Sequence, residues 1–492
     1  MKRLLNSLNN IWSFVILFAF LIVGLLLILP LYNIFVSSFI DNETGSFTLQ
    51  NYIDIIGKGY YRKAIYNSIF VGFSSMFGAL LIGIPLAFFT TRFKIRGKSV
   101  ISTLAILALV SPPFIGAYAW ITMLGSNGWL RHGFESIGIP MPTIYGPLGM
   151  IIVFSLKLYP FVYLLTSGAL SNINSSLEDA AESLGYPPFS KFIHVTLPLI
   201  LPAISSGALL AFVLSLADFG TPSIIGRDFR VLSTVAYNLF TSEMGGNPGL
   251  ASTVSILLIL VSLIFVYMQR IIIRNKDFGS DMLNPPEIKK LTRLTTIPVH
   301  FLCYFIVFLS SMPSLVVIYN SFRKTSGPVF QSGFGLDSYR RVINDVPDAI
   351  FNSFLFSVSA VILIVLCGTL IGYVVARKPS ILTGSLDSML MIPYIVPGVV
   401  LGLGFIVSFN SKPIVLTGTA IIIILVIFIR RLPYSVRSSV SILKQINIGI
   451  EEAAASLGAG PAKTFVKITL PLMLPGVFAG AMMAFITAIN EL

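Results

Sequence analysis

Runs of about twenty apolar residues recur along this chain, and no other feature limits its fold as much. The first, "WSFVILFAFLIVGLLLILPLYNIFV" from Trp12, is long enough as a helix to cross a hydrocarbon core of roughly 30 Å. Inside hydrocarbon every backbone N–H and C=O must find a partner within the protein, so such segments fold as helices. The balance of the 492 residues agrees: 55% are hydrophobic, 11% are charged and the mean hydropathy is +0.88. A soluble domain carries about 25% charged residues. The expected class is therefore all-α, a polytopic helical protein of the lipid bilayer.

Lys2 and Arg3 precede the first run in the manner of a signal peptide. The run is too long for a signal core of about 7–15 residues, and no small-residue cleavage site follows, so it reads as a retained helix. Cys303 and Cys367 both fall in apolar spans and suggest neither a disulfide framework nor a metal site. The net charge of +13 does not point to nucleic acid, because its distribution follows the spans. With the N-terminus inside, 21 Lys and Arg fall in inner segments, 11 in outer ones, and Lys157 lies within a span. That bias places the N-terminus in the cytoplasm.

The chain is also a repeat. A shift of 273 residues aligns Leu177–Phe219 with Ile450–Leu492 at 18 identities in 43 positions. Related shifts align "YNSIF" at Tyr66 with "FNSFL" at Phe351, in spans that end at Arg92 and Arg377, and set Pro30 against Pro313. Six spans are expected in the first half, at roughly 11–37, 66–90, 99–125, 144–170, 197–219 and 249–272. Five follow in the second, at roughly 298–321, 350–376, 386–409, 413–436 and 470–490. The division is a first transmembrane domain at 1–273, a polar cytoplasmic linker at 274–297 and a second transmembrane domain at 298–492. An even number of spans per half makes the repeats parallel. Since Leu492 matches Phe219, a twelfth span has no counterpart, and truncation of the second domain is the expectation.

The most informative duplicated segment is not greasy. "LEDAAESLGYPPFSKFIHVTLPLILP" at Leu177–Pro202 returns as "IEEAAASLGAGPAKTFVKITLPLMLP" at Ile450–Pro475. Ser175 and Glu178 have capping-box spacing for a helix start. Leu177, Ala180, Ala181 and Leu184 share one face, as do Ile450, Ala453, Ala454 and Leu457. Glu178, Asp179 and Glu182 flank the first face, and Glu451 and Glu452 the second. Gly185 and Gly458 stand where a helix ends on a left-handed residue. A second short helix is expected before the prolines that open the next span, making an acidic-flanked helix–turn–helix with alanines that admit a close partner.

Glu178-Asp179-Ala180-Ala181 with Gly185, and Glu451-Glu452-Ala453-Ala454 with Gly458, each followed by "TLP", resemble the EAA motif of ABC importer permeases. The resemblance covers both halves, and the Asp at 179 is a mild departure. It implies loops that dock on two copies of a cytoplasmic ATPase subunit and pass its closure to the spans. It also implies an extracytoplasmic binding protein, the bacterial inner membrane, and alternating access. The chain itself offers no P-loop: "RGKS" at Arg96–Ser99 lacks the first glycine and follows no strand. No catalytic residue or cofactor is expected, and ATP hydrolysis is assigned to the partner.

Charges within spans are functional candidates. By repeat, Asp218 aligns with Glu491 and Lys157 with Arg430. The acids are candidates for an outer vestibule favouring a cation, or are residues facing water; the bases are candidates for the pathway, or snorkel to the inner interface. His132, His194 and His300 are scattered, and the methionines form no metal-binding array. Fusion of two permease halves resembles the ferric-iron, thiamine and aminoethylphosphonate importers. "LSLADFGTPSIIG" at Leu214–Gly226 is most similar to ferric-iron permeases, and "ITAINEL" at the end fits the iron and phosphonate branches. Ferric iron is the first expectation. A secondary transporter with parallel repeats is the reading from another class, distinguished by dependence on an ion gradient instead of ATP.

Overall fold

Proline sets where many of these spans start, widen or break. The computed structural model describes residues 11–42, 44–242, 246–273, 288–327 and 329–491. Lys2, Arg3 and linker residues 274–287 lie outside them. In the first half the spans are α1 (Ile11–Ser37), α2 (Gly59–Arg92), α3 (Lys98–Val110) with α4 (Pro113–Leu124), α5 (Pro147–Ser171), α7 (Pro188–Ala217) and α8 (Pro248–Ile273). The short loop helix α6 is Ser175–Ser183. In the second half they are α9 (Arg293–Ser321), α10 (Pro347–Arg377), α11 (Ile381–Met389) with α12 (Gly398–Ser408), α13 (Ala420–Gln445) and α15 (Pro461–Ile489). There the loop helix α14 is Gly449–Ser456. One antiparallel hairpin, β1 (Arg323–Ser326) and β2 (Val329–Phe334), interrupts the helices.

The fold is all-α and carries the two repeats that the sequence implies, but the span list needs correction. Among the described residues, eight helices are continuous and apolar enough to cross a membrane, and the expected third span of each half is instead broken. The chain turns by 104° between Val110 and Pro113 and by 108° between Ile395 and Gly398. Ser111-Pro112-Pro113 and Val396-Pro397 cause this, because proline drives the residue before it out of the helical region. The span expected at 413–436 is α13, a helix whose Arg430, Arg431, Arg437 and Lys444 keep it out of the apolar set.

Proline also explains three widened turns. π turns occupy Gly24–Ile28, Phe192–Thr196 and Phe465–Thr469, and each is followed by Leu-Pro. The carbonyl that Pro30, Pro198 or Pro471 would crowd, four residues back, lies inside the widened turn. The helix therefore continues through the proline. The second short helix expected after each glycine is thus the beginning of α7 or α15, with no break before the span.

Small residues let the second and fourth spans of each half approach. A Cβ at Gly83 on α2 would lie 2.9 Å from the Tyr159 carbonyl oxygen of α5. One at Gly372 on α10 would lie 2.5 Å from Ser439 Cβ of α13. Van der Waals packing at small residues is the main source of helix association in lipid.

Two compact units result, and they cross the sequence repeat. One comprises Met1–Thr48 with Arg340–Leu492, and the other Leu49–Tyr339. In the first, Pro30 and Ile34 of α1 pack against Gly404 of α12, Asn33 Nδ2 donates to Ser408 Oγ at 2.9 Å, and Trp12 meets Tyr373. In the second, α9 packs on the first half's helices, with Tyr159 and Ser310 hydroxyls 2.9 Å apart. Each repeat has exchanged its first helix for that of the other.

Candidate functional site

The two loop helices are short, and neighbouring side chains, not length, fix them. Asn174 Oδ1 caps α6 by accepting from the Ser176 N–H at 3.1 Å, so the start expected from Ser175 and Glu178 is replaced. Before α14, Asn447 Oδ1 accepts from Gly449 N–H at 2.9 Å, from one residue ahead of the N-cap Ile448. Both helices end alike. Gly185 has φ +83° and Gly458 φ +84°, with Tyr186 N–H donating to Ala181 O and Ala459 N–H to Ala454 O. Only glycine enters this region without a Cβ penalty.

Glu178 is freed from capping by a different partnership. Arg92, the last residue of α2, donates from Nη2 to Glu178 Oε1 at 2.8 Å, and Thr196 Oγ1 donates to the same oxygen at 2.7 Å. The Arg92 and Glu178 side chains are 9% and 16% exposed, so the pair is largely out of water. One carboxylate thus joins the loop to α2 and to the π turn of α7.

The second loop repeats the grip with other hands. Arg377, the last residue of α10, donates from Nε to Glu451 Oε1 at 2.9 Å and from Nη2 to Ile446 O at 2.8 Å. Tyr373 OH donates to Glu451 Oε2 at 2.9 Å. Here the Arg and Glu side chains are 11% and 12% exposed. Thr469, the repeat equivalent of Thr196, is buried and its hydroxyl finds no partner among the described residues.

The other residues of the motif divide by face. Ala181 and Ala454 are buried, whereas Leu177, Ala180 and Leu184 are exposed, as are Ile450, Ala453 and Leu457. Asp179, Glu182 and Glu452 also face outward. Lys191 donates to Glu182 at 2.6 Å with Lys289 at 4.0 Å, and the two ammonium groups hold this carboxyl below the ordinary carboxylate range. Lys289 is placed by main-chain pairing, its N–H donating to Arg92 O and its carbonyl accepting from Lys94 N–H.

The family described as "Binding-protein-dependent transport system inner membrane component" matches residues 79–277 and 368–492. The chain belongs to that family. It is the multi-pass inner-membrane permease of an ABC importer, and not its ATPase. The permease is 28% identical to the ferric transport system permease protein FbpB of Actinobacillus pleuropneumoniae, over 96% of this chain and 69% of that one. It is equally 28% identical to the putative ferric transport system permease protein FbpB 1 of Haemophilus influenzae, over 96% and 75%. A bacterial ABC transporter for import of the acidic polysaccharide alginate is similar in structure over 56% of the permease and 99% of that chain, at 18% identity and TM-score 0.45.

Within its spans the permease brings the four candidate charges together in repeat-related pairs. Lys157 Nζ donates to Asp218 Oδ2 at 3.0 Å. Arg430 pairs with Glu491, and Arg431 with the other oxygen of the same carboxylate. Asp218 Oδ1 also accepts from Thr221 N–H at 2.8 Å. Lys157 lines a small cavity with Ser111, Pro113, Thr221 and Ser310 at the break between α3 and α4. Any Cβ at Gly398, at the break before α12, would run into the Arg430 guanidinium. Each base therefore lies beside the broken span of its own half.

The sequence did not single out Thr196, Tyr373 and Arg431. Arg92 and Arg377 were visible as matched arginines ending matched spans, but their partners lie 86 and 74 positions away. No group of three His, Cys, Asp or Glu side chains suited to hold a metal ion occurs among the described residues.

Proposed function

We propose that this permease imports ferric iron delivered by an extracytoplasmic binding protein, driven by two copies of a cytoplasmic ATPase subunit. The observation carrying the coupling assignment is the duplicated loop: a short helix with an exposed apolar face, one glycine turn away from a helix that runs unbroken into a span. Leu177, Ala180, Leu184 and Asp179 form the first docking face, and Ile450, Ala453, Leu457 and Glu452 the second. Ala181 and Ala454 seat the helices, and Gly185 and Gly458 set the angle at which they leave. The loops, and with them the N-terminus, lie in the cytoplasm, which the Lys and Arg distribution supports.

Iron is favoured by the similarity to the two ferric transport permeases and by "LSLADFGTPSIIG". The Lys157–Asp218 and Arg430–Glu491 pairs line the pathway, where paired charges keep a passing ion from binding too tightly to leave. Radiolabelled uptake into proteoliposomes containing permease, ATPase and loaded binding protein tests both parts. ATP-dependent uptake of iron, and not of aminoethylphosphonate or thiamine, is expected. Uptake of one of the others discards iron alone, and uptake driven by an ion gradient without ATP discards the coupling reading.

A further inference from the structure

The first acid of each loop has the wrong environment for a docking contact. Glu178 and Glu451 are turned inward onto arginines that are themselves nearly buried, while their neighbours Asp179 and Glu452 face outward. A carboxylate held this way gives a partner protein little to bind, and a charged pair out of water holds its geometry more firmly than one on the surface. Both arginines end the second span of their repeat, and each second span packs along a fourth span. The constellation is built twice with different auxiliary donors, Thr196 in one copy and Tyr373 in the other. Two solutions to holding the same carboxylate indicate that the hold matters, and not the donor.

We propose that Arg92 and Arg377 are positioning residues for transport: they lock each loop helix to its second span, so that movement imposed on the loop is carried into the membrane by that span. The covalent route through the glycine turn reaches only α7 or α15. The arginine adds a second, non-covalent arm to α2 or α10, and the loop helix then drives two spans together. In the second copy Arg377 also holds the Ile446 carbonyl at the end of α13, bracing the short link through which the chain already joins α13 to the loop helix. This inference rests on the loops being the ATPase contact.

The test uses the complete transporter in proteoliposomes, with whichever of ferric iron, aminoethylphosphonate and thiamine the unaltered permease takes up. Three quantities are measured: ATPase co-purification, ATP hydrolysis, and substrate taken up per ATP hydrolysed. The double variant Arg92→Gln with Arg377→Gln should lower uptake per ATP about tenfold or more, the factor a charge-assisted pair commands. Co-purification and hydrolysis should persist, because the docking faces are untouched. Arg92→Lys with Arg377→Lys keeps charge but loses the fork, and should fall roughly two- to fivefold. The exchange Arg377→Glu with Glu451→Arg should recover part of what Arg377→Gln loses. Uptake per ATP unchanged in the Gln double variant overturns the proposal. So does loss of uptake in step with loss of co-purification, since the arginines would then only hold the loop's shape. If the Gln variant fails to insert, the Lys variant decides, and unchanged uptake per ATP in it overturns the proposal. An unaltered permease that does not retain the ATPase strikes at the coupling reading instead.

Discussion

The two loops share a backbone and differ in how they hold one carboxylate. Phe88 and Tyr373 occupy the same place in their repeats, and each packs edge-on against the phenylalanine of its π turn, Phe192 at 5.1 Å and Phe465 at 4.9 Å. Where the ring carries a hydroxyl, that group takes Glu451 and leaves Thr469 without a partner among the described residues. Where it does not, Thr196 takes Glu178. A single oxygen atom on α10 thus redirects the second loop away from its own π turn. The conserved quantity between copies is a satisfied, inward carboxylate, and the route to it is free to vary.

Removing the carboxylates should produce the largest effect and separate the copies. Glu178→Ala strands Arg92, a nearly buried cation, and should destabilise the permease by about 3 kcal/mol. Glu451→Ala leaves Arg377 its bond to Ile446 O and should cost about half as much. Thermal unfolding in detergent gives the order; equal losses would break the comparison. The glycine turns should show the opposite, a symmetric cost. Among the described residues nothing lies within 4 Å of the Cβ position at Gly185 or Gly458, so Val at either site meets left-handed strain, about 1–2 kcal/mol each. A difference above about 1 kcal/mol between Gly185→Val and Gly458→Val would show that the turns are not equivalent.

A smaller change should convert one loop into the other. Tyr373→Phe reproduces the Phe88 arrangement, and Thr469, the repeat equivalent of Thr196, should then take Glu451, so the net loss should stay below about 1 kcal/mol. Thr469→Val alone should be near neutral because it deletes an unpartnered hydroxyl. Together they should lose more than the sum, and additivity in that cycle would sink the substitution argument. The smallest effect concerns acid. The carboxyl of Glu182 is held below the usual range by Lys191, so its contribution is full above the ordinary carboxylate pKa and fades as pH falls through the lowered value. Ala455 and Thr464 replace the pair in the second copy. Hydrogen exchange between pH 5 and 3 should therefore loosen α6 before α14; simultaneous loosening would assign the change to something common to both loops.

Local features of the chain were legible in its sequence because local physics decides them. Gly185 and Gly458 announce left-handed turns, and the apolar runs announce spans. The broken third spans were written in Pro112-Pro113 and Pro397, but a run of apolar residues reads the same whether the helix is straight or bent. Glu178 at capping-box spacing pointed to Ser175, and only the fold brings Arg92 and Thr196 close enough to outcompete it. The pairing of Lys157 with Asp218 follows the same logic, since hydropathy records that a charge is in a span and not what it meets there. The exchange of α1 and α9 was hidden for a different reason. Similarity between repeats means that either first helix suits either partner, so the pattern alone does not say which one it receives.

That exchange sets a timetable for biosynthesis. α1 leaves the ribosome well before the helices it packs against, which come from residues 340 onward. At roughly 5–20 residues per second, a wait of about 20–90 seconds separates the emergence of Ser37 from that of Ile489. During that interval α1 has lipid or the insertion machinery for company, and the other compact unit, which ends at Tyr339, is complete well before α1 finds its own. A helix made before every one of its partners waits for all of them to be placed.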